Sequence, residues 1–230
     1  MKQRFDLEGT ACEVLENGTG GPVFFFLTGH EEKGTAELEA FIREMVPDTT
    51  PWTVFMICTA SWDRELSPWK ADLGNGRGFS GGGRRVLTFL EEKAVPWARE
   101  HLTHNGHFYL AGYSLAGLFA LWGLYESRLF SGSLVCSASL WFPGFLDWCR
   151  EKSFDRDVLV YLSLGGKEPN TKDPLMATVL DCYKAVEKHL KQDPHVRQLV
   201  FEMNPGGHFA NGNKRLAKGV RWMIEKNKVS

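Results

Sequence analysis

No run of three or more consecutive basic residues occurs in this 230-residue chain, and its 27 Lys and Arg are balanced by 28 Asp and Glu. That balance excludes the electrostatic footprint of a nucleic-acid binder and of a protein drawn to an anionic membrane surface. Cysteine is sparse and scattered. The five thiols, Cys12, Cys58, Cys136, Cys149 and Cys182, are odd in number and contain no C-x-x-C pair. They read as reduced core residues, not as a disulfide framework or a zinc site. His101, His104 and His107 are evenly spaced but lack a carboxylate in a metal-ligand pattern, so no metal is expected. A Walker loop, internal repeats, linkers and low-complexity tracts are all absent. The N-terminal stretch Met1-Lys2-Gln3-Arg4-Phe5-Asp6 has neither the apolar segment nor the cleavage site of a secretory signal, which leads to an expectation of a cytoplasmic protein.

Two segments imitate features the chain does not have. Gly76-Arg77-Gly78-Phe79-Ser80-Gly81 matches a dinucleotide fingerprint letter by letter, but it lies well beyond the preceding strand and lacks the acidic residue that should follow. It reads as a mobile loop or lid. Residues 108–125 carry no charge over a membrane-spanning length. Gly112, Ser114, Gly117 and Gly123 interrupt them, and a central strand followed by a buried helix explains the same composition.

Apolar, β-branched and aromatic runs alternate with helix-period segments along the whole chain. The expected strands are residues 23–28, 53–59, 108–111, 131–137, 158–164 and 198–203, with an edge strand within 5–16. Helices are expected after a Thr35 cap, from about Arg84 with a break or kink at Pro96, and from Leu115. Two more begin at the Asp173-Pro174 cap and at about Lys214. This alternation predicts one α/β domain spanning 1–230, a three-layer sandwich with a mostly parallel central sheet and helices on both faces. Residues 60–83 and 138–150 are read as loops over the site.

Gly112-Tyr113-Ser114-Leu115-Ala116-Gly117 lies between strand and helix and has the form of a nucleophile elbow, in which small residues flanking a serine allow a sharp turn that exposes its hydroxyl. A serine needs a base, and the base needs an orienting partner. His208, in Asn204-Pro205-Gly206-Gly207-His208-Phe209 after the last strand, is the candidate base. The loop after the 158–164 strand offers two carboxylates: Glu168, just past Gly165-Gly166, is preferred as the acid, and Asp173 is the alternative, ranked second because it also suits a helix cap. A Ser-His dyad is the third arrangement. The oxyanion donors are expected to be the backbone N–H groups of Leu115 and His30. Trp62, Trp69 and Trp141 fall in loops after strands, where an apolar substrate rim would be.

The residues 108–122, the Gly165-Gly166-Lys167-Glu168 loop and the residues 204–209 resemble the esterase branch of the α/β-hydrolase superfamily that includes esterase D and the enterochelin (siderophore) esterases. Residues 62–69 are also similar to a loop in small bacterial relatives, while Leu27-Thr28-Gly29-His30 stands where many relatives carry His-Gly. The resemblance implies the α/β-hydrolase sandwich and cofactor-free cleavage of a carboxylic ester or thioester of a small molecule through an acyl-enzyme. The alternatives are acyl transfer from the same intermediate and, from another class, a non-catalytic binding protein on this fold. A homo-oligomer is compatible with the composition.

Overall fold

A computed structural model describes residues 2–29, 32–74 and 76–227. The chain runs β1 (Lys2–Leu7), β2 (Thr10–Asn17), β3 (Gly21–Thr28), α1 (Glu32–Met45), β4 (Trp52–Cys58), α2 (Trp62–Glu65), β5 (Lys70–Gly74) and β6 (Arg77–Ser80). It continues through α3 (Gly83–Phe89), a π-helical segment (Leu90–Ala94), α4 (Val95–His101), β7 (His104–Tyr113), α5 (Leu115–Glu126), β8 (Gly132–Cys136) and α6 (Phe145–Arg150). The last elements are β9 (Val158–Gly165), a 3₁₀ turn (Met176–Thr178), α7 (Val179–Leu190), β10 (Val196–Asn204) and α8 (Gly212–Asn227).

Eight strands form one sheet in the order β1-β2-β4-β3-β7-β8-β9-β10. The six from β4 to β10 pair in parallel, and β1 and β2 add an antiparallel edge. Side chains alternate across a strand, so β3 feeds two cores at once. Phe25 joins Phe55, Leu110 and the α5 residues Leu118 and Phe119 on one face. Phe24 and Phe26 join Leu38 and Ile42 of α1 and Val220 and Met223 of α8 on the other. The expected three-layer sandwich is the observed architecture.

Several local expectations change. The edge strand within 5–16 is a hairpin, β1–β2, turned at Glu8 (φ 50°) and Gly9 (φ 83°). Such a turn needs two residues in the left-handed region. Thr35 is buried inside α1 and does not cap it. The helix containing Pro96 is not broken; it passes through the π-helical segment, whose wider turn accommodates a residue with no N–H to donate. The 60–83 loop contains α2 and the β5–β6 hairpin, so the imitation dinucleotide motif is a turn and strand. The 138–150 loop ends in α6.

The uncharged stretch is β7 plus α5. With 12 residues, α5 is about 18 Å long, and among the described residues no helix is long and apolar enough to cross a membrane. All five cysteines are free, four of them buried and Cys58 half-buried.

Phe25 is fully buried and stacks on Phe55 at 5.2 Å, with Phe130 edge-on at 6.1 Å. Phe25→Ala is expected to cost about 3–5 kcal/mol, read as a lower urea midpoint with an unchanged m-value; a loss under about 1 kcal/mol would mean that this centre can collapse around the hole.

Candidate active site

At the carboxyl end of the sheet the chain makes a turn whose tightness is set by Gly112. A Cβ there would lie 2.2 Å from the carbonyl of Ala116, so only glycine lets β7 approach the first turn of α5. Ser114 sits at the apex with φ 58° and ψ −122°, a conformation that costs a non-glycine residue about 1–3 kcal/mol. Its surroundings hold it there. The Ser114 N–H donates to the Cys136 carbonyl (3.1 Å), and the Ser114 carbonyl accepts from Ser139 (3.1 Å) and Leu118 (3.1 Å). The strained serine is thereby tied to the end of β8 and to α5 together. Leu115, the first residue of α5, presents a backbone N–H that has no acceptor within the helix.

His208 lies between β10 and α8, and Glu168 lies in the turn after β9. The imidazole Nε2 is 3.1 Å from Ser114 Oγ, and Nδ1 is 2.9 Å from Glu168 Oε2. Backbone bonds fasten the two loops together: Gly166 N–H donates to the Asn204 carbonyl (2.8 Å) and Lys167 N–H to the Gly206 carbonyl (3.0 Å). The second carboxylate oxygen, Glu168 Oε1, accepts from Ser137 Oγ (2.6 Å), the Gly165 N–H (2.7 Å) and Arg215 Nη1 (2.9 Å). Burial pushes the Glu168 carboxyl up. The hydrogen bonds from His208, Ser137 and Gly165 outweigh that and hold it below its usual value. Tyr113 donates its hydroxyl to the His208 carbonyl at 2.5 Å, and burial pushes that phenol up to about 12.

Asp173, the alternative acid, has a different task. Its Oδ1 accepts from the Leu175 and Met176 N–H groups at 3.0 and 3.1 Å, capping the 3₁₀ turn that leads into α7. Glu168 is thus the carboxylate that meets His208. The other expected oxyanion donor, His30, lies outside the described residues.

A cavity of about 360 Å³ opens over Ser114 and Leu115. Trp62 at the start of α2, Leu73 and Phe79 of the β5–β6 hairpin, Trp141 and Met176 wall it with apolar surface, and Asp63 is the charged residue on its rim among the described residues. Trp69 does not line it. Its indole donates to the Pro143 carbonyl (3.0 Å) and its ring packs against Phe142 and Trp148. The Trp69 ring, read from the sequence as part of the substrate rim, instead fastens the 138–150 segment to the chain before β5. Among the described residues, no group of three His, Cys, Asp or Glu could hold a metal; His101 stacks on Trp97 at 4.6 Å.

Sequence reasoning passed over Arg215, Ser137 and Tyr113. Arg215 had a legible signal: it lies four residues before Gly219 and eight before Met223 of α8, both buried, so its charge falls on the helix's inward face.

No protein-family model matches the sequence, and no curated protein sequence matches it. Solved structures do resemble it. An IroE-like serine hydrolase from Shewanella oneidensis superposes with a TM-score of 0.83 at 20% identity, covering 98% of this chain and 80% of that one. The siderophore hydrolase EstA from Aspergillus nidulans gives 0.79 at 16% identity over 98% and 94% of the two chains. EstB of the same organism, also a siderophore hydrolase, gives 0.76 at 14% over 98% and 95%. The chain has the α/β-hydrolase fold.

A carboxyl held below its usual value of 4.5 binds fewer protons folded than unfolded. Its stabilisation is complete above that value and is lost as pH falls through the folded-state pKa. Melting temperatures should therefore fall on acidification below about 4.5 less steeply in Glu168→Gln than in the natural protein; identical slopes would show that Glu168 carries none of the acid sensitivity.

Proposed function

We propose that this protein is a serine esterase that cleaves a carboxylic ester or thioester of a small molecule through an acyl-enzyme. The observation that carries the reading is the unbroken relay from Ser114 Oγ through the His208 ring to Glu168 Oε2, at 3.1 and 2.9 Å, beside a cavity walled in part by Trp62, Phe79 and Trp141. The names of its structural neighbours, a serine hydrolase and two siderophore hydrolases, support the same class.

In this mechanism the neutral His208 donates its Nδ1–H to Glu168 and accepts the Ser114 proton at Nε2 as Oγ attacks the acyl carbonyl. The negative charge that develops on the carbonyl oxygen meets the Leu115 N–H at the start of α5. His208 then returns its proton to the leaving alkoxide or thiolate, and the carbonyl re-forms as an ester to Ser114. A water, deprotonated by His208, attacks that ester and releases the acid and the free serine. Glu168 stays ionised throughout, holding the ring in one tautomer and stabilising the imidazolium that forms twice per turnover.

Fluorophosphonate is expected to label the natural protein at Ser114 and to leave Ser114→Ala unlabelled; a folded natural protein with no adduct would overturn the reading. Glu168→Gln should lower kcat by about 10²–10⁴-fold, whereas Asp173→Asn should keep kcat near that of the natural protein, and the opposite order would make Asp173 the functional acid.

The cavity lining gives a second expectation. Trp62→Ala and Trp141→Ala should each lower kcat/KM for esters with large apolar groups by about tenfold, the loss expected for roughly 1.4 kcal/mol of buried contact, while sparing acetyl esters. An equal loss on acetyl esters would show that these rings support the fold and not the substrate.

A further inference from the structure

We propose that Arg215 is a positioning residue for the esterase reaction, meeting the face of Glu168 that His208 leaves free and binding the acid loop to the loop that carries His208. The inference rests on the reading of Ser114, His208 and Glu168 given above. Arg215 is 1% exposed, and placing a guanidinium there is costly unless every contact is returned. Its contacts go to one place. Nη1 donates to Glu168 Oε1 (2.9 Å), the oxygen that His208 does not use, and to Ser137 Oγ (2.7 Å), which donates to that same oxygen. Nη1 also reaches the Tyr113 hydroxyl (3.1 Å), which in turn holds the His208 carbonyl. Nη2 donates to the carbonyls of Pro205 (3.3 Å) and Gly207 (3.0 Å), in the chain leading into His208.

Among the described residues, the third guanidinium nitrogen, Nε, is buried with no partner. Both terminal nitrogens of the Arg215 side chain are spent on the acid and on the loop that carries His208. Space has been cleared for it as well. A Cβ on Gly165 would lie 2.7 Å from Arg215 Nη2 and 2.8 Å from Glu168 Oε1.

Among the described residues, the charges around the pair are few. His208 faces Glu168, Ser114 and the Tyr113 ring. Glu168 faces Arg215, Ser137 and the Gly165 amide, and Tyr113, Cys136 and Tyr183 lie near enough to feel it. Burial raises all three of those groups, so they stay neutral near neutral pH. Glu202, which Cys136 also faces, is paired with Lys218. Among the described residues, Arg215 is then the permanent cation in contact with Glu168. Without it, the full carboxylate charge falls on His208 and the pair takes up its proton at a higher pH, where the base is lost.

The test compares Arg215→Gln, Arg215→Lys, Glu168→Gln and the double variant Arg215→Gln/Glu168→Gln on an activated acetyl ester, with thermal melts to establish folding. Arg215→Gln is expected to lower kcat by up to about 10²-fold with KM unchanged, and to move the acid limb of kcat/KM upward by about one pH unit. Arg215→Lys, which keeps the charge but not the fork, should restore the position of the limb and part of kcat. In the Glu168→Gln background the Arg215 change should cost far less than in the natural protein, because the acid is gone and only the ties to Tyr113 and to the Pro205 and Gly207 carbonyls remain to be lost. That double variant has no unpaired buried charge, so it remains informative if Arg215→Gln alone does not fold. A folded Arg215→Gln with the natural acid limb, or losses that multiply in the double variant, would overturn the proposal. Absence of turnover and of fluorophosphonate labelling in the natural protein would instead overturn the hydrolase reading on which it rests.

Discussion

A strand can run into a helix at a serine of positive φ only if the backbone before it and the backbone after it come into van der Waals contact, and the contact between Gly112 and Ala116 supplies that condition. The remaining structure is arranged to keep this turn closed. Ten of the 12 residues of α5 are buried, so the helix cannot swing outward to relax the serine. Gly117 lies against Ala138 and the Cys136 carbonyl, which seats the helix on β8. The strain of one residue is thus held by the packing energy of a whole core, which explains why the sequence around it is uncharged over such a length.

A second constraint is electrostatic. Glu168 must be buried enough to be rigid and yet remain charged, and those demands oppose each other. The opposition is resolved by the number of donors that reach it, from His208, Ser137, Gly165 and Arg215, each from a different segment of the chain. β8, β9, the loop after β10 and α8 therefore converge on one carboxylate. Loss of a single donor would leave a buried charge short of partners, so the cluster is stable only when complete.

Much of this was readable from residue order. The strand runs, the elbow and the placement of His208 and Glu168 just past strand ends are local patterns with a fixed period or offset, and the structure brings the three side chains into one relay. Choosing between Glu168 and Asp173 was harder, because both follow β9 closely, and the cap signal of Asp173-Pro174 favoured Glu168 without showing which carboxylate meets His208. The β1–β2 turn escaped notice because Glu8-Gly9 is not one of the usual hairpin pairs. The β5–β6 hairpin was hidden by its glycines and charges, which read as loop. Trp69 looked like a substrate contact since its partners, Phe142, Pro143 and Trp148, are more than seventy residues away in sequence. Arg215 was passed over because an arginine in an amphipathic helix is ordinarily solvated, and only the position of its neighbours on α8 betrays it.

The cavity wall and the reacting groups are carried by separate parts of the chain. Ser114, His208 and Glu168 stand on sheet ends, whereas Trp62, Leu73 and Phe79 come from the single insertion between β4 and α3. The two strands of that insertion pair with each other and not with the main sheet. Changes to the Trp62, Leu73 and Phe79 side chains of this one segment can therefore redraw what fits over the serine while the elbow and the relay stay as they are, provided that its core residue Leu66 is kept. In an evolving lineage, substrate range and catalytic competence would be inherited on different stretches of the gene.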